Sequence, residues 1–369
     1  MGAMDELISS AVVSQMRAAV SAVAPAVELP SLTLAERAVE GERLRRRVDI
    51  VRDALLDDLP AGFPATERIV TDLLDEPNFT GWMIWPTTEL VTSRALESGS
   101  TADFDAAMAL LARLTPGLTS EFAVRDLLIA RPERAVAIMQ TWTAHDDEHV
   151  RRFATEGSRA FLPWAKRVPW LVAHPQATRA ILDATYRDPA EYVRRSVSNH
   201  LNDLSRIDAA VVTGTAARWA AEPDPHTPRV LRHGLRTLVK KADPVALSLL
   251  GFTGDDLRVP RPQISDDAVA WGGDVLITAD VTNDGPAEAL VAIDYSIGFQ
   301  RADASVRPKT FKMGTRLIAA GETATIVKTH SFRAITTRTY HPGPHFVTVQ
   351  ANGVLSAPAD FTLEAQRDA

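Results

Sequence analysis

His149-Val150-Arg151-Arg152 and, 43 residues on, Tyr192-Val193-Arg194-Arg195 open two stretches of one pattern. The first runs on to Glu156-Gly157-Ser158-Arg159 and the second to Asn199-His200-Leu201-Asn202-Asp203. A looser third copy, Arg229-Val230-Leu231-Arg232, begins 37 residues after Tyr192. That period is the length of HEAT-type two-helix units. Stacked, such units form a curved solenoid whose second helices line the concave face. In register, His149, Arg152, Glu156 and Arg159 fall on one helical stripe. Tyr192, Arg195, Asn199 and Asn202 take the same places in the second copy, and Arg229, Arg232, Arg236 and Lys240 in the third.

Outward from this segment, the chain up to about residue 257 is rich in Ala, Leu, Arg and Glu. Apolar residues recur there at helical spacing, as in Ala38–Leu55, Asp103–Leu114 and Arg134–Trp142. Pro60–Gly62, Pro116–Gly117, Asp188–Pro189 and Pro223–Pro228 break the pattern into short helices. After Arg258-Val259-Pro260-Arg261-Pro262 the period changes to two, and Val275–Val281, Val291–Ile297, Thr323–Thr329 and Phe346–Gln350 read as strands. The fold class expected is multidomain: an all-α HEAT-like-repeat solenoid over 1–257, a linker at 258–263, and an all-β immunoglobulin-like sandwich over 264–369. The opening Met1-Gly2-Ala3-Met4 reads in part as a cloning remnant.

Composition narrows the chemistry. The chain has 369 residues and no Cys, which excludes disulfides, thiolate metal sites and a cysteine nucleophile. It carries no HExxH, Walker A or GxSxG motif. His145 and His149 share an i,i+4 spacing that falls short of a metal site, so no metal and no cofactor are expected. No apolar run is long enough to span a membrane, and no membrane partner is expected. The chain's net charge is -7, yet residues 150–241 hold 16 Lys+Arg against 8 Asp+Glu. A local excess of this kind on a curved scaffold fits a phosphate backbone. Two other readings stand beside it: solvated helix surface with pairs such as Arg152–Glu156, and a scaffold for an acidic protein partner.

Within the basic lining, Glu156 and Glu121 stand out as candidate functional carboxylates, with Asp203 a weaker third, each also readable as an ion-pair partner. Gly157 stands where a helix prefers Ala, at a cost of about 1 kcal/mol that is tolerable if something must approach the backbone closely. Trp164, after Pro163, and Trp82, in Gly81-Trp82-Met83-Ile84-Trp85, are candidates for stacking on bases or sugars; core packing is the alternative.

Taken together, Ser120-Glu121-Phe122-Ala123-Val124-Arg125, the Glu156 and Asp203 stretches and Leu162-Pro163-Trp164-Ala165 resemble the AlkC branch of the HEAT-like-repeat DNA glycosylases. The likeness covers roughly residues 30–250, and Asp126 departs from the family pattern, which has Pro there. The β-rich remainder is similar to the Ig-like domain that one AlkC subgroup carries. The resemblance implies a base-excision-repair enzyme that hydrolyses the glycosidic bond of cationic N3-alkylated bases, 3-methyladenine and 3-methylcytosine, without conventional base flipping. It implies Glu156 and Glu121 as catalytic carboxylates, with Trp164, Asp203 and Trp82 at the lesion nucleotide. Arg152, Arg159, Arg195, Asn199, Arg232 and Arg236 would hold the DNA backbone. Double-stranded DNA with alkylated bases is the expected partner of a monomer in the bacterial cytosol. The non-catalytic alternatives are a HEAT-repeat protein that binds DNA structure or an acidic protein. The sandwich, with Lys309, Lys312, Arg316, Lys328, Arg333 and Arg338, is expected to present a basic side and a stiff Tyr340–His345 tip.

Overall fold

The computed structural model describes residues 3–254, 256–336 and 338–366; Met1 and Gly2 of the opening tetrapeptide lie outside this range. Sixteen α-helices occur among the described residues, followed by ten strands. The first eight helices are α1 (Ser10–Val23), α2 (Pro30–Ala38), α3 (Leu44–Asp58), α4 (Phe63–Leu73), α5 (Ile84–Ser98), α6 (Thr101–Leu114), α7 (Val124–Ala130) and α8 (Pro132–Thr141). Then come α9 (Glu148–Gly157), α10 (Pro169–Ala173), α11 (Arg179–Thr185), α12 (Glu191–Leu204), α13 (Ala209–Ala221), α14 (Thr227–Gly234), α15 (Arg236–Lys240) and α16 (Pro244–Leu249).

Local chemistry sets the helix ends. The side chains of Ser9, Ser100, Asp147 and Asp243 cap α1, α6, α9 and α16 by accepting backbone N–H groups. Proline opens α2, α4, α8, α10 and α16, where its missing N–H costs nothing. Two sequence readings need correction here. The periodic stretch Ala38–Leu55 is two helices, because α2 ends at Ala38 and Gly41 adopts a positive φ of 78° before α3 begins. The third repeat is not one helix either: Arg229 and Arg232 lie on α14, Arg236 and Lys240 on α15, with Leu235 between them.

The chain forms two compact units. One takes the residues up to Val211 together with Asp224–Val230; the other takes Val212–Pro223 and everything from Leu231. The core of the helical unit runs through Val13, Leu32, Val48, Phe63, Ile84, Phe104, Leu127 and Phe153, all at most 1% exposed.

The sheet-bearing unit holds β1 (Leu257–Arg258), β2 (Gln263–Ile264), β3 (Ala268–Val269), β4 (Asp274–Asn283), β5 (Ala289–Gln300), β6 (Val306–Ile318), β7 (Thr323–Ser331), β8 (Gly343–Ala351), β9 (Val354–Leu355) and β10 (Ala359–Leu363). In one sheet β4 pairs with β7 and, antiparallel, with β1 and β2. The other has the order β3-β10-β8-β5-β6, with β9 on β8. The segment expected as a linker is thus bounded by two short strands of the first sheet. Alternating inward residues such as Val275, Ile277, Ile293, Tyr295, Val347 and Val349 make the second core. Tyr340 and His345, expected on an exposed tip, are 8% and 2% exposed and join the aromatic cluster around Phe299 and Phe332. Apolar rings outweighed loop polarity at that point.

Candidate functional site

Helices α9 and α12 pack side by side in the helical unit, and their contacts climb both chains together. The His149 and Tyr192 rings meet edge-on at 5.5 Å. One turn up, Ser196 Oγ donates to Glu156 Oε2 at 2.6 Å and Thr155 Oγ1 donates to Ser196 Oγ at 2.5 Å. Higher still, Arg159 Nε donates to Asp203 Oδ2 at 2.8 Å. At the lower end Arg151 clamps Asp188, the residue before Pro189 and α12, with 2.6 and 3.1 Å bonds. The repeat seen in sequence is therefore a real pairing of parallel helices.

The two helices, the residue pair just past α9 and the turn ahead of α7 build an alternating ladder of charge. Glu121 accepts from Arg152 Nη1. Arg152 Nη2 lies 3.5 Å from Glu156 Oε1, which also accepts from Arg159 Nη1 at 2.6 Å. Arg159 then reaches Asp203. Three carboxylates and two guanidiniums so alternate in a largely buried row: Glu156 is 6%, Arg159 7% and Asp203 3% exposed. Pairing at every step is what makes such burial tolerable.

The ladder divides its carboxyls by pKa. Burial alone would raise all three. At Glu156 the charges of Arg152 and Arg159 and the Ser196 hydroxyl overcome burial and hold the carboxyl below the ordinary range. At Glu121 burial, helped by the neighbouring Glu156 charge, wins against Arg152 and raises the pKa. Asp203 is also raised by burial, against the pull of Arg159. One carboxylate is thus kept firmly ionised beside one that takes a proton more readily.

Arg125, on α7, is the hidden support. It is fully buried, and it donates to the carbonyls of Gly157 and Arg159 at 2.9 and 2.7 Å and of Lys166 at 2.9 Å. Burial, with repulsion from Arg159, pulls its pKa down to about 10. These bonds pin both ends of the loop that carries Trp164, and the Lys166–Asp126 ion pair at 2.7 Å ties the same loop to α7. Asp126, the residue that departs from the family pattern, therefore has a partner of its own. Below α9, the buried His200 fixes the Thr155 carbonyl through Nδ1 at 2.9 Å and meets Thr178 Oγ1 through Nε2 at 3.0 Å. A carbonyl only accepts, so Nδ1 carries the proton. Gly157 is explained by close packing: a Cβ there would meet Met139 and Phe153 side chains at 3.0 Å.

Trp164 stands out in two ways. It is 89% exposed, and its φ of 60° lies in the left-handed region that non-glycine residues avoid. Such a backbone costs about 1–3 kcal/mol and persists only where the surroundings impose it; the Arg125 bonds on either side do so. Trp164 borders a cavity of about 430 Å³ with Trp82, Trp85, Phe122, Arg43 and Arg45. Trp85 stacks on Phe122 at 4.6 Å and its Nε1 donates to Glu89, which also accepts from Arg45 at 2.7 Å. Arg43 and Arg45 were missed in the sequence, although the run Arg43-Leu44-Arg45-Arg46-Arg47 is a visible basic signal.

The structure brings Glu121, Glu156, Arg152, Arg159 and Asp203 together, and it places Trp82 and Trp164 around one cavity. It separates the supposed backbone arginines by role. Arg195 is exposed on α12. Arg152 is mostly covered, with its guanidinium 5.2 Å from the Tyr192 ring centre. Arg159, expected at the DNA backbone, is 7% exposed and donates to both Glu156 and Asp203. Asp203, expected at the lesion, is likewise turned to Arg159. Asn199 is half-buried on α12, while the exposed Arg232 and the half-buried Arg236 belong to the sheet-bearing unit.

The chain is thus a helical-repeat body with a buried carboxylate–guanidinium ladder, followed by an Ig-like β-domain. The family model described as the C-terminal Ig-like domain of the uncharacterised protein YhaZ matches residues 258–365. YhaZ of Bacillus subtilis is 32% identical over 335 residues, covering 90% of this chain and 88% of that protein. The Pseudomonas fluorescens alkylpurine DNA glycosylase AlkC, solved with DNA containing an abasic-site analogue, is 30% identical, with a TM-score of 0.87 over 99% of this chain and 100% of that one. The chain belongs to the AlkC/YhaZ family.

Proposed function

We propose that this chain is a DNA glycosylase that hydrolyses the N-glycosidic bond of cationic N3-alkylated bases, 3-methyladenine and 3-methylcytosine, in duplex DNA without conventional base flipping. The observation that carries the reading is the ladder, in which Glu156 is buried yet held ionised by Arg152, Arg159 and Ser196. A base alkylated at N3 already bears positive charge, so it leaves without a general acid. What the departing bond requires is stabilisation of an oxocarbenium sugar and a positioned water. A carboxylate about 4 Å from that cation, at an effective dielectric near 20, contributes roughly 4 kcal/mol, or about a thousandfold in rate.

Glu156 supplies that field. Glu121, whose pKa is raised, orients the attacking water and takes its proton. Arg152 and Arg159 fix both carboxylates in place at no cost of reorganisation, and Asp203 holds Arg159. Trp164 and Trp82 pack against the lesion nucleotide. Arg195 and Asn199 hold phosphates of the duplex backbone, with the chain acting as a monomer; Arg232 and Arg236 line a cavity of the sheet-bearing unit. The experiment is release of free 3-methyladenine from methylated duplex by the full chain. Binding without base release would favour a non-catalytic DNA-binding protein, and absence of salt-dependent duplex binding would favour an acidic protein partner.

A further inference from the structure

A second cavity, of about 420 Å³, lies within the sheet-bearing unit between the α14–α15 segment and strands β5 and β6. Its charged lining is one-sided: Arg232, Arg236, Lys240 and Lys312 share it with a single carboxylate, Asp294, on which Lys240 and Lys312 act. Asp294 is 5% exposed, and among the described residues its carboxylate accepts no hydrogen bond and forms no ion pair; Lys240 and Lys312 act on it only through space. It stands where the β5–β6 register shifts, between Ile293 and Asp294. Such irregularities re-aim a side chain and often accompany sites. The remaining walls are apolar, from Val239, Leu250, Phe252 and Leu290.

We propose that this cavity binds a phosphate monoester with an apolar body, such as a nucleoside monophosphate, whose phosphate shares one proton with Asp294. Four cations select an anion. A lone buried carboxylate among them would repel that anion unless a hydrogen lies between the two. Sulfate and the internal phosphodiesters of DNA have no proton to share near neutral pH. A phosphate monoester does, because its second proton leaves near pH 6. Burial pushes the Asp294 carboxyl above its ordinary range, against Lys240 and Lys312, which brings the two groups toward a common proton. The apolar walls then take a base or sugar, which bare phosphate would leave unfilled.

Titration calorimetry on the full chain tests this with dAMP, inorganic phosphate and inorganic sulfate. The expected order is dAMP tightest, phosphate weaker and sulfate undetectable. Lys312→Met should weaken dAMP by tenfold or more, as loss of a charge-assisted bond implies. Asp294→Asn, nearly the same shape and able to donate, should admit sulfate. Two competitors distinguish a free nucleotide from a DNA end: a short oligonucleotide with a 5′-phosphate and the same strand with a 5′-hydroxyl. Displacement of dAMP by the phosphorylated strand alone identifies an end, and displacement by neither identifies the free nucleotide. Equal displacement by both strands, sulfate competing as well as phosphate, unchanged binding in Lys312→Met, or no dAMP binding at all would overturn the proposal.

Discussion

His200 in the helical unit and His330 in the sheet-bearing unit are both buried imidazoles whose pKa burial pulls down to about 4. His200 has both ring nitrogens hydrogen-bonded, to the Thr155 carbonyl and the Thr178 hydroxyl. His330 has one, to the Tyr295 hydroxyl at 3.0 Å, and its Nε2 is buried without a partner. Carboxylates repeat the contrast. Glu156 and Asp203 are bonded to arginines at every step, whereas Asp294 has no bond to either of its lysines. Pairing at every step of the ladder builds a pre-oriented set of charges, the arrangement that catalysis uses, although Arg94 Nε and Arg125 Nη2 of the same unit are buried without a partner. Polar groups left open in the second unit make a place for something else to complete.

The largest effect expected from breaking this order is at Arg125. Arg125→Met removes every donor to the Gly157, Arg159 and Lys166 carbonyls. The helical unit should lose about 3–5 kcal/mol, read as a lowered midpoint in denaturant. Unchanged stability would show that Arg125 is not the clamp described.

The two histidines come next. An unfolded imidazole binds its proton near pH 6.5, the folded ones near 4. The unfolded state therefore binds more protons between those values, and stability falls as pH drops through that window. Each histidine contributes up to roughly 3 kcal/mol of this loss. At neutral pH the two should differ. His200→Phe orphans a carbonyl and a hydroxyl and costs about 1–3 kcal/mol. The paired replacement Tyr295→Phe with His330→Phe removes both partners and should be close to neutral. Equal costs in urea titrations would erase the distinction between the units.

Ser196→Ala is the smallest and most specific change. It deletes one of the influences that hold Glu156 below the ordinary carboxyl range. Glu156 should then protonate at higher pH, so the acid limb of base excision moves toward neutrality while duplex binding is kept. Ser196→Thr should restore the limb. An unmoved limb in Ser196→Ala would mean that Glu156 does not govern the profile.

Much of this was legible in the residues, and the failures have physical causes. The 43-residue repeat gave the α9–α12 pairing because a helix face reports its own period. Glu156 and Glu121 stood out as carboxylates in a basic stretch, and the structure joins them through Arg152. The burial of Arg159 was not legible because i,i+3 spacing from Glu156 fits a solvent-facing arginine as well as a buried one; its second partner, Asp203, lies 44 residues away. Arg125 and Ser196 were invisible as supports for the same reason, since their partners, the carbonyls of Gly157, Arg159 and Lys166 and the carboxylate of Glu156, lie 32 to 41 residues away. Strand β6, rich in Lys and Arg, lacked the apolar alternation that marked its neighbours, being largely exposed along its length.

In the proposed reaction a buried, ionised Glu156 drives base release. The direct test is single-turnover release of 3-methyladenine from methylated duplex by the wild-type chain and by Glu156→Gln, with duplex affinity measured in parallel. A fall of about a thousandfold in rate with affinity largely unchanged is the predicted result; excision at the wild-type rate by the folded Gln variant would contradict it.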